Sequence, residues 1–351
     1  MFAVDRGRRT RLLTSYPTAV WVFVVVVALA GCTQDSASAP TPTATLPAPA
    51  HAVANEIDPR WMGLGTNELW NWKIVDRVIT PEFQQFGVRP LNSEEIPRRG
   101  GCCGHGKEAS TAFLTAFAPG KFDPAEARSD QPVNVYGREG YFRPSVDVED
   151  AVLTWSYADD AWATLYGRSS DTSELDVMVA LAGDLRPTER IPVRLPLSLA
   201  NVPVDMPLSK IAIQRGPWAV TSVEFDACQS PVYGVPAPEC ASTADTLKIA
   251  IWQHDDFFQA YGDGNTPTFH EGAVAITVGG KEGLYNEASN VADVEIPPEM
   301  VAVFSLHARG PQSGPASSRE TTKLKDVLAG VEWASDPGSE QTWPEVTAWA
   351  K

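Results

Sequence analysis

Several signatures are missing from this 351-residue chain. It has no G-x-S-x-G turn, no H-E-x-x-H pair and no G-x-x-x-x-G-K-[ST] loop. The nucleophile elbow, the zincin site and the phosphate-cradling loop are therefore excluded. Basic residues are also scarce, with 28 Lys and Arg against 44 Asp and Glu and a formal net charge of −16. Phosphate backbones are gripped by clustered Lys and Arg, so a nucleic-acid partner is excluded. Electrostatic adhesion to an anionic lipid surface is excluded by the same charge. There are only five Cys and five His, no C-x-x-C pair and no His spacing that signals a site. Apolar content is not scarce. It stands at 43%, with eleven Trp and thirteen Phe, which is ample for real cores. The length suits two or three domains, or one large one.

Membrane attachment has to come from something other than charge, and the N-terminus supplies it. Arg6, Arg8, Arg9 and Arg11 form a positive segment, followed by the uncharged "AVWVFVVVVALAG" of Ala19 to Gly31. That run is short of the ~20 apolar residues a spanning helix needs, and its flanks fit a secretory signal peptide. It ends in Leu29-Ala30-Gly31-Cys32. This box resembles that of the bacterial lipoproteins, in which Leu and two small residues precede a Cys. The resemblance covers the first 32 residues and implies that the Cys32 thiol receives a diacylglyceryl group. A peptidase then cuts just before it, and the freed amine is open to acylation. Two or three acyl chains hold stably where one holds weakly. Cleavage removes four Arg and one Asp, a net +3, and takes the formal charge from −16 to −19. An uncut single-pass anchor and a freely secreted product are the alternatives. The expected place is the cell membrane, lipid-anchored and facing the extracytoplasmic side.

Beyond Cys32 the chain is rich in Pro, Thr, Ala and Ser as far as Asp58. It has no apolar period and reads as a tether that extends about 3 Å per residue. The body then shows the same series twice. Val133 to Tyr141 runs as an alternating strand into a Gly-basic-Glu-Gly turn, and Ile276 to Leu284 does the same. A hairpin follows in each, built on Leu153, Trp155 and Tyr157 with Trp162 to Tyr166, and on Val294 and Ile296 with Val301 to Leu306. A helical stripe follows in each, on Leu175, Met178, Val179 and Ala182, and on Leu324, Val327, Leu328 and Val331. Asp171 and Glu174 suit the first helix as caps. The expected class is α+β, two tandem repeated units of antiparallel sheet with one packed helix each. The expected segments are a signal peptide over 1–31, a lipid-anchored linker over 32–58, a first unit over 59–195 and a second over 196–351. The boundary falls in the Pro-punctuated stretch Pro192 to Pro207.

Outside the cytoplasm disulfides persist. Cys228 with Cys240 is the favoured bond, closing a Pro- and Gly-rich loop for about 3 kcal/mol in the chain-entropy model. Cys102 and Cys103 then form a vicinal pair or stay free, and cross-unit pairing is the third option. Cys102, Cys103 and His105 do not make a zinc site alone, because adjacent cysteines do not easily face one ion and tetrahedral zinc needs four ligands. His254 and His270 complete such a set only if the fold gathers them. A redox role has only Lys107 and His105 nearby to depress a thiol pKa. No metal and no cofactor is expected.

His254-Asp255-Asp256 with Asp263-Gly264-Asn265 reads as a solvated turn, or else as a weak calcium loop or general-acid pair. Asp147, Glu149 and Asp150 read as an exposed loop. Trp61, Trp70 and Trp72 read as core, with stacking on a glycan as the alternative. No catalytic residue is assigned. The expected function is a non-catalytic binding or interaction module at the cell surface, with an unknown extracytoplasmic ligand or protein as partner. A surface hydrolase or other enzyme with a site between the units is the alternative, and His254 to Asp263 would carry its chemistry.

Overall fold

The computed structural model describes residues 57–58, 60–66, 72–90, 111–146, 150–168, 172–202, 206–214, 220–225, 234–235, 245–253, 272–296, 300–308 and 318–346. Fourteen strands join in one antiparallel sheet. The first seven are β2 (Trp72–Ile79), β3 (Phe83–Pro90), β4 (Ala112–Phe117), β5 (Gln131–Val135), β6 (Arg138–Arg143), β7 (Ala151–Ala158) and β8 (Ala161–Gly167). The other seven are β11 (Leu208–Gln214), β12 (Val220–Phe225), β13 (Asp245–Gln253), β14 (Val274–Val278), β15 (Lys281–Asn286), β16 (Val291–Ile296) and β17 (Met300–Ala308). Two short ribbons stand apart from the sheet. One pairs β1 (Trp61–Thr66) with β9 (Leu185–Pro192), the other β10 (Leu197–Leu199) with β18 (Val331–Trp333). The helices are α1 (Leu175–Gly183) and α2 (Ser318–Ala329).

The sheet order is β14-β15-β16-β17-β13-β12-β11-β2-β3-β4-β8-β7-β6-β5. Read from either edge, a four-strand run closes on the strand before it in the chain, and both series meet at the β2–β11 pair. The hairpins the sequence suggested are present as β7–β8 and β16–β17, and each Gly-basic-Glu-Gly segment makes a further one. β5 turns into β6 through Tyr136 and Gly137 at φ 53° and 86°, and β14 into β15 through Gly279 and Gly280 at φ 55° and 80°. Two successive positive φ angles match the twist of a tight hairpin. The turn therefore precedes the basic residue, and Arg138 and Lys281 already belong to the following strands. Asn134 Oδ1 accepts the Gly137 N–H at 2.7 Å and braces the first turn.

One face of the sheet carries both hydrophobic cores. The first gathers Phe86, Leu114, Leu153, Trp155 and Leu165 under Met178, Leu181 and Ala182 of α1. The second gathers Ile211, Val223, Ile249, Val294 and Phe304 under Leu324, Val327 and Leu328 of α2. Glu174 sits at the N-cap of α1 without a side-chain cap bond. The last residue of the second stripe, Val331, falls in β18 rather than in the helix. The other face is mixed, with buried Phe83, Phe117 and Trp162 beside buried polar side chains. Gln85, Thr115, Thr154, Thr164, Ser222 and Glu224 are all buried there.

The expected class needs correction. The described residues are mostly strand with two α-helices, and fourteen of the strands belong to one continuous sheet, not to two α+β units each with its own sheet and helix. The physical reason is edge pairing. Separate units would expose β2 and β11 as long apolar edges, whereas Ile79 with Ile211 and Val78 with Ala212 join them in register. The stretch Pro192 to Pro207 is also packed structure. Val193, Leu195, Leu197, Leu199 and Met206 belong to the second core.

Candidate functional site

At its Ile79–Ile211 end the β2–β11 seam belongs to the second core, whereas no residue of either helix lines its Arg77–Ile213 end. On the core-bearing face one row of side chains crosses the seam as Phe86, Arg77, Ile213, Thr221 and Ile251. Period-two alternation puts all five on one face. Of these, Arg77, Ile213, Thr221 and Ile251, with Ile74 and Met300, floor an open groove of about 620 Å³. Asp76 and Gln214 also line it, but the same alternation projects their side chains to the opposite face. A volume of this size is typical of small-molecule sites, which run from roughly 300 to 1,000 Å³.

The walls come from elements outside the main sheet. They include Met62 of β1, Ile191 and Pro192 at the end of β9 with Val193 just beyond it, and a second wall segment of Pro337, Gly338, Glu340 and Trp343. The walls are tied together by main-chain bonds. Leu195 N–H donates to Pro344 O at 3.2 Å, Val346 N–H to Val193 O at 2.9 Å, and Ala334 N–H to Pro196 O at 2.9 Å. Trp343 Nε1–H donates to Pro337 O at 2.8 Å and fixes the second wall's shape. Arg77 donates to Met62 Sδ, and its guanidinium lies 5.1 Å from the Phe86 ring centroid. Arg194 pairs at the rim with Glu345 at 3.2 Å, both about half exposed, so the pair is weak. Ile191 stands 52% exposed on the lip, among the few large apolar side chains of the described residues turned to solvent.

A second polar cluster lies on the opposite face. Lys210 Nζ is 3.0 Å from Glu224 Oε1, with Lys248 Nζ at 3.8 Å from the same oxygen. Glu224 is 2% and Lys210 8% exposed, while the Lys248 side chain is half exposed. Ser209 Oγ donates to Glu224 O at 3.0 Å. The cluster is a buried Lys210–Glu224 ion pair with Lys248 at its exposed edge.

All five cysteines lie outside the described residues, and so do His105, Lys107, His254 to Asn265, His270, Asp147, Glu149, Trp70 and Asp171. No disulfide, lipid or metal expectation is therefore placed by the geometry. Asp150 faces Arg168 Nε at 4.0 Å. Trp72 packs against the first core from β2, as a core aromatic does. Trp61 opens β1. No described helix is long and apolar enough to cross a membrane. Sequence reasoning missed every groove residue, because Met62, Ile213 and Trp343 become neighbours only through the β2–β11 pairing. Comparison of the chain with protein-family models, with curated proteins and with solved structures finds no match.

Proposed function

We propose that the chain is a lipid-anchored extracytoplasmic binding module, held to the membrane through Cys32, whose ligand seat is the groove over the β2–β11 seam. The groove carries this reading. It is open, about 620 Å³ in volume, and built by both ends of the described chain around a floor that neither helix covers. Its floor holds apolar side chains and a pinned arginine, an arrangement suited to holding a molecule and poor in groups that move protons. The Leu29-Ala30-Gly31-Cys32 box supports the anchor and its extracytoplasmic side.

The test has two arms. Cys32→Ala is expected to move the protein from the membrane fraction to the soluble fraction, or to stall its processing. Unchanged fractionation contradicts the anchor. In the second arm, Ile213→Trp fills the groove. Ligand-observed NMR against a mixed library of sugars, peptides and aliphatic compounds is expected to show binders for the mature protein that this variant loses. Binders unaffected by it place the ligand seat elsewhere. Turnover of a cell-wall substrate that falls with His254→Ala or Asp256→Ala would overturn the non-catalytic reading.

A further inference from the structure

We infer that the outer edge of β14 is a self-association surface, where a second copy of this chain adds the same strand antiparallel across a two-fold axis. The outermost strands of the sheet are β14 and β5, and among the described residues each is paired on one side alone. Their turns fix which groups face outward. The pair that closes a two-residue turn exchanges hydrogen bonds, and the pattern alternates from there. Val278 closes the β14–β15 turn with Lys281, so Val278, Ile276 and Val274 bond to β15. Ala275 and Thr277 then turn their N–H and C=O groups outward, and both residues are exposed. The same count in β5, from Val135 with Arg138, turns Pro132 and Asn134 outward. Proline has no N–H, so β5 lacks a donor at the place where β14 has Ala275. Pro132 thus guards its edge against strand addition, whereas the "VAITV" of β14 holds neither proline nor charge.

The register of β14 is self-complementary. An antiparallel copy centred on Ile276 sets Ala275 opposite the partner's Thr277, and Thr277 opposite the partner's Ala275. These are the outward-facing residues, so each pair exchanges main-chain hydrogen bonds. Ile276 then meets the partner's Ile276, and Val274 meets the partner's Val278, at the closer spacing of non-hydrogen-bonded pairs. Val274, Ile276 and Val278 alternate onto the core-bearing face, where Val278 is buried in the second core and Ile276 packs against it. The copy continues that core across the axis and covers Val274, which stands 56% exposed in the single chain. Neither end of the strand obstructs the approach, because even an added Cβ on Gly272 or Gly280 would meet nothing within 4 Å. Pro132 also decides the symmetry. It denies the β5 edge to β14 of another copy, so the sheet does not grow head to tail and the pairing closes at two chains. The edge is only five residues long. It falls short of the roughly 800 Å² per partner of a standard interface, which places dissociation on the order of 100 µM.

The test is sedimentation equilibrium of the full mature chain carrying Cys32→Ser, from about 5 to 500 µM, with a urea midpoint recorded for every variant. The mass is expected to rise with concentration from one chain toward two and no further. Ala275→Pro is expected to leave the chain monomeric over the whole range with its urea midpoint unchanged, because β5 already carries Pro132 at the matching place. Val274→Lys is expected to weaken the dimer at least tenfold. Val274 is exposed, so its variant carries the test should Ala275→Pro fail to fold. A monomer at every concentration overturns the inference, as does a dimer that survives both changes. Growth past two chains overturns the closed two-fold pairing. A monomer whose Ala275 and Thr277 amide resonances shift when trivaline is added gives the edge to a peptide and overturns the second copy.

Discussion

Glu224 shows how a charge is kept inside this molecule. Its carboxylate is almost wholly buried and is met by Lys210, so the pair holds because both members are present. Removing one member strands the other. Glu224→Ala is expected to lower unfolding stability by about 3 kcal/mol in urea titration, while the double change Lys210→Met with Glu224→Leu recovers most of the loss. A double variant no more stable than the single one would show that Glu224 acts through something other than Lys210. Tyr157 makes a different point. Its hydroxyl donates to Phe117 O at 2.7 Å, and burial pushes the phenol well above its usual pKa. The unfolded chain ionises this group near pH 10, whereas the folded chain keeps its proton. Above about pH 10 the folded state therefore binds more protons, and stability falls as pH rises. Tyr157→Phe is expected to cost about 1 kcal/mol at neutral pH through the lost hydrogen bond and to flatten the alkaline decline. An alkaline slope as steep as the parent's rules out Tyr157 as its source.

At the level of elements, glycines set how closely strands and turns pack. A Cβ on Gly283 in β15 would lie 2.4 Å from Asp293 O, which is backbone and has no way to swing aside. Gly283→Ala is expected to cost about 1–3 kcal/mol, read as a lower urea midpoint, against a few tenths for Gly63→Ala, whose Cβ would meet only Arg190 Cγ at 4.0 Å. Equal effects at both positions would refute the close-packing argument. Much at this scale was legible in the sequence. The alternation in Leu153, Trp155 and Tyr157 forms β7, and the stripe on Met178 and Ala182 forms the buried face of α1. These signals are local and follow from side-chain period. The turn at Tyr136 was placed one step late because tyrosine at positive φ carries no obvious sequence mark. The packed stretch from Val193 to Leu199 was read as a boundary because its prolines outweighed its alternating apolar residues.

Across the whole molecule, the decisive event is the pairing of β2 with β11, and no local period encodes it. The two strands lie more than a hundred residues apart, and each alone reads as an ordinary antiparallel strand. Their union turns two expected units into one sheet and creates the groove, so the groove was not legible either. Ile79 of β2 and Ile211 of β11, both fully buried, belong to one core across the seam. Calorimetry is therefore expected to show one cooperative transition, and two separated transitions would contradict a single sheet. The groove itself is tested most directly by methyl NMR of the mature Cys32→Ser chain, with the binders from the mixed library of sugars, peptides and aliphatic compounds added stepwise. The methyls of Ile213, Ile251, Met62 and Met300 are predicted to shift saturably, while those of Leu165 and Leu306, deep in the two cores, stay in place. Groove methyls that never move, or shifts spread evenly through both cores, would contradict a ligand seat at the seam.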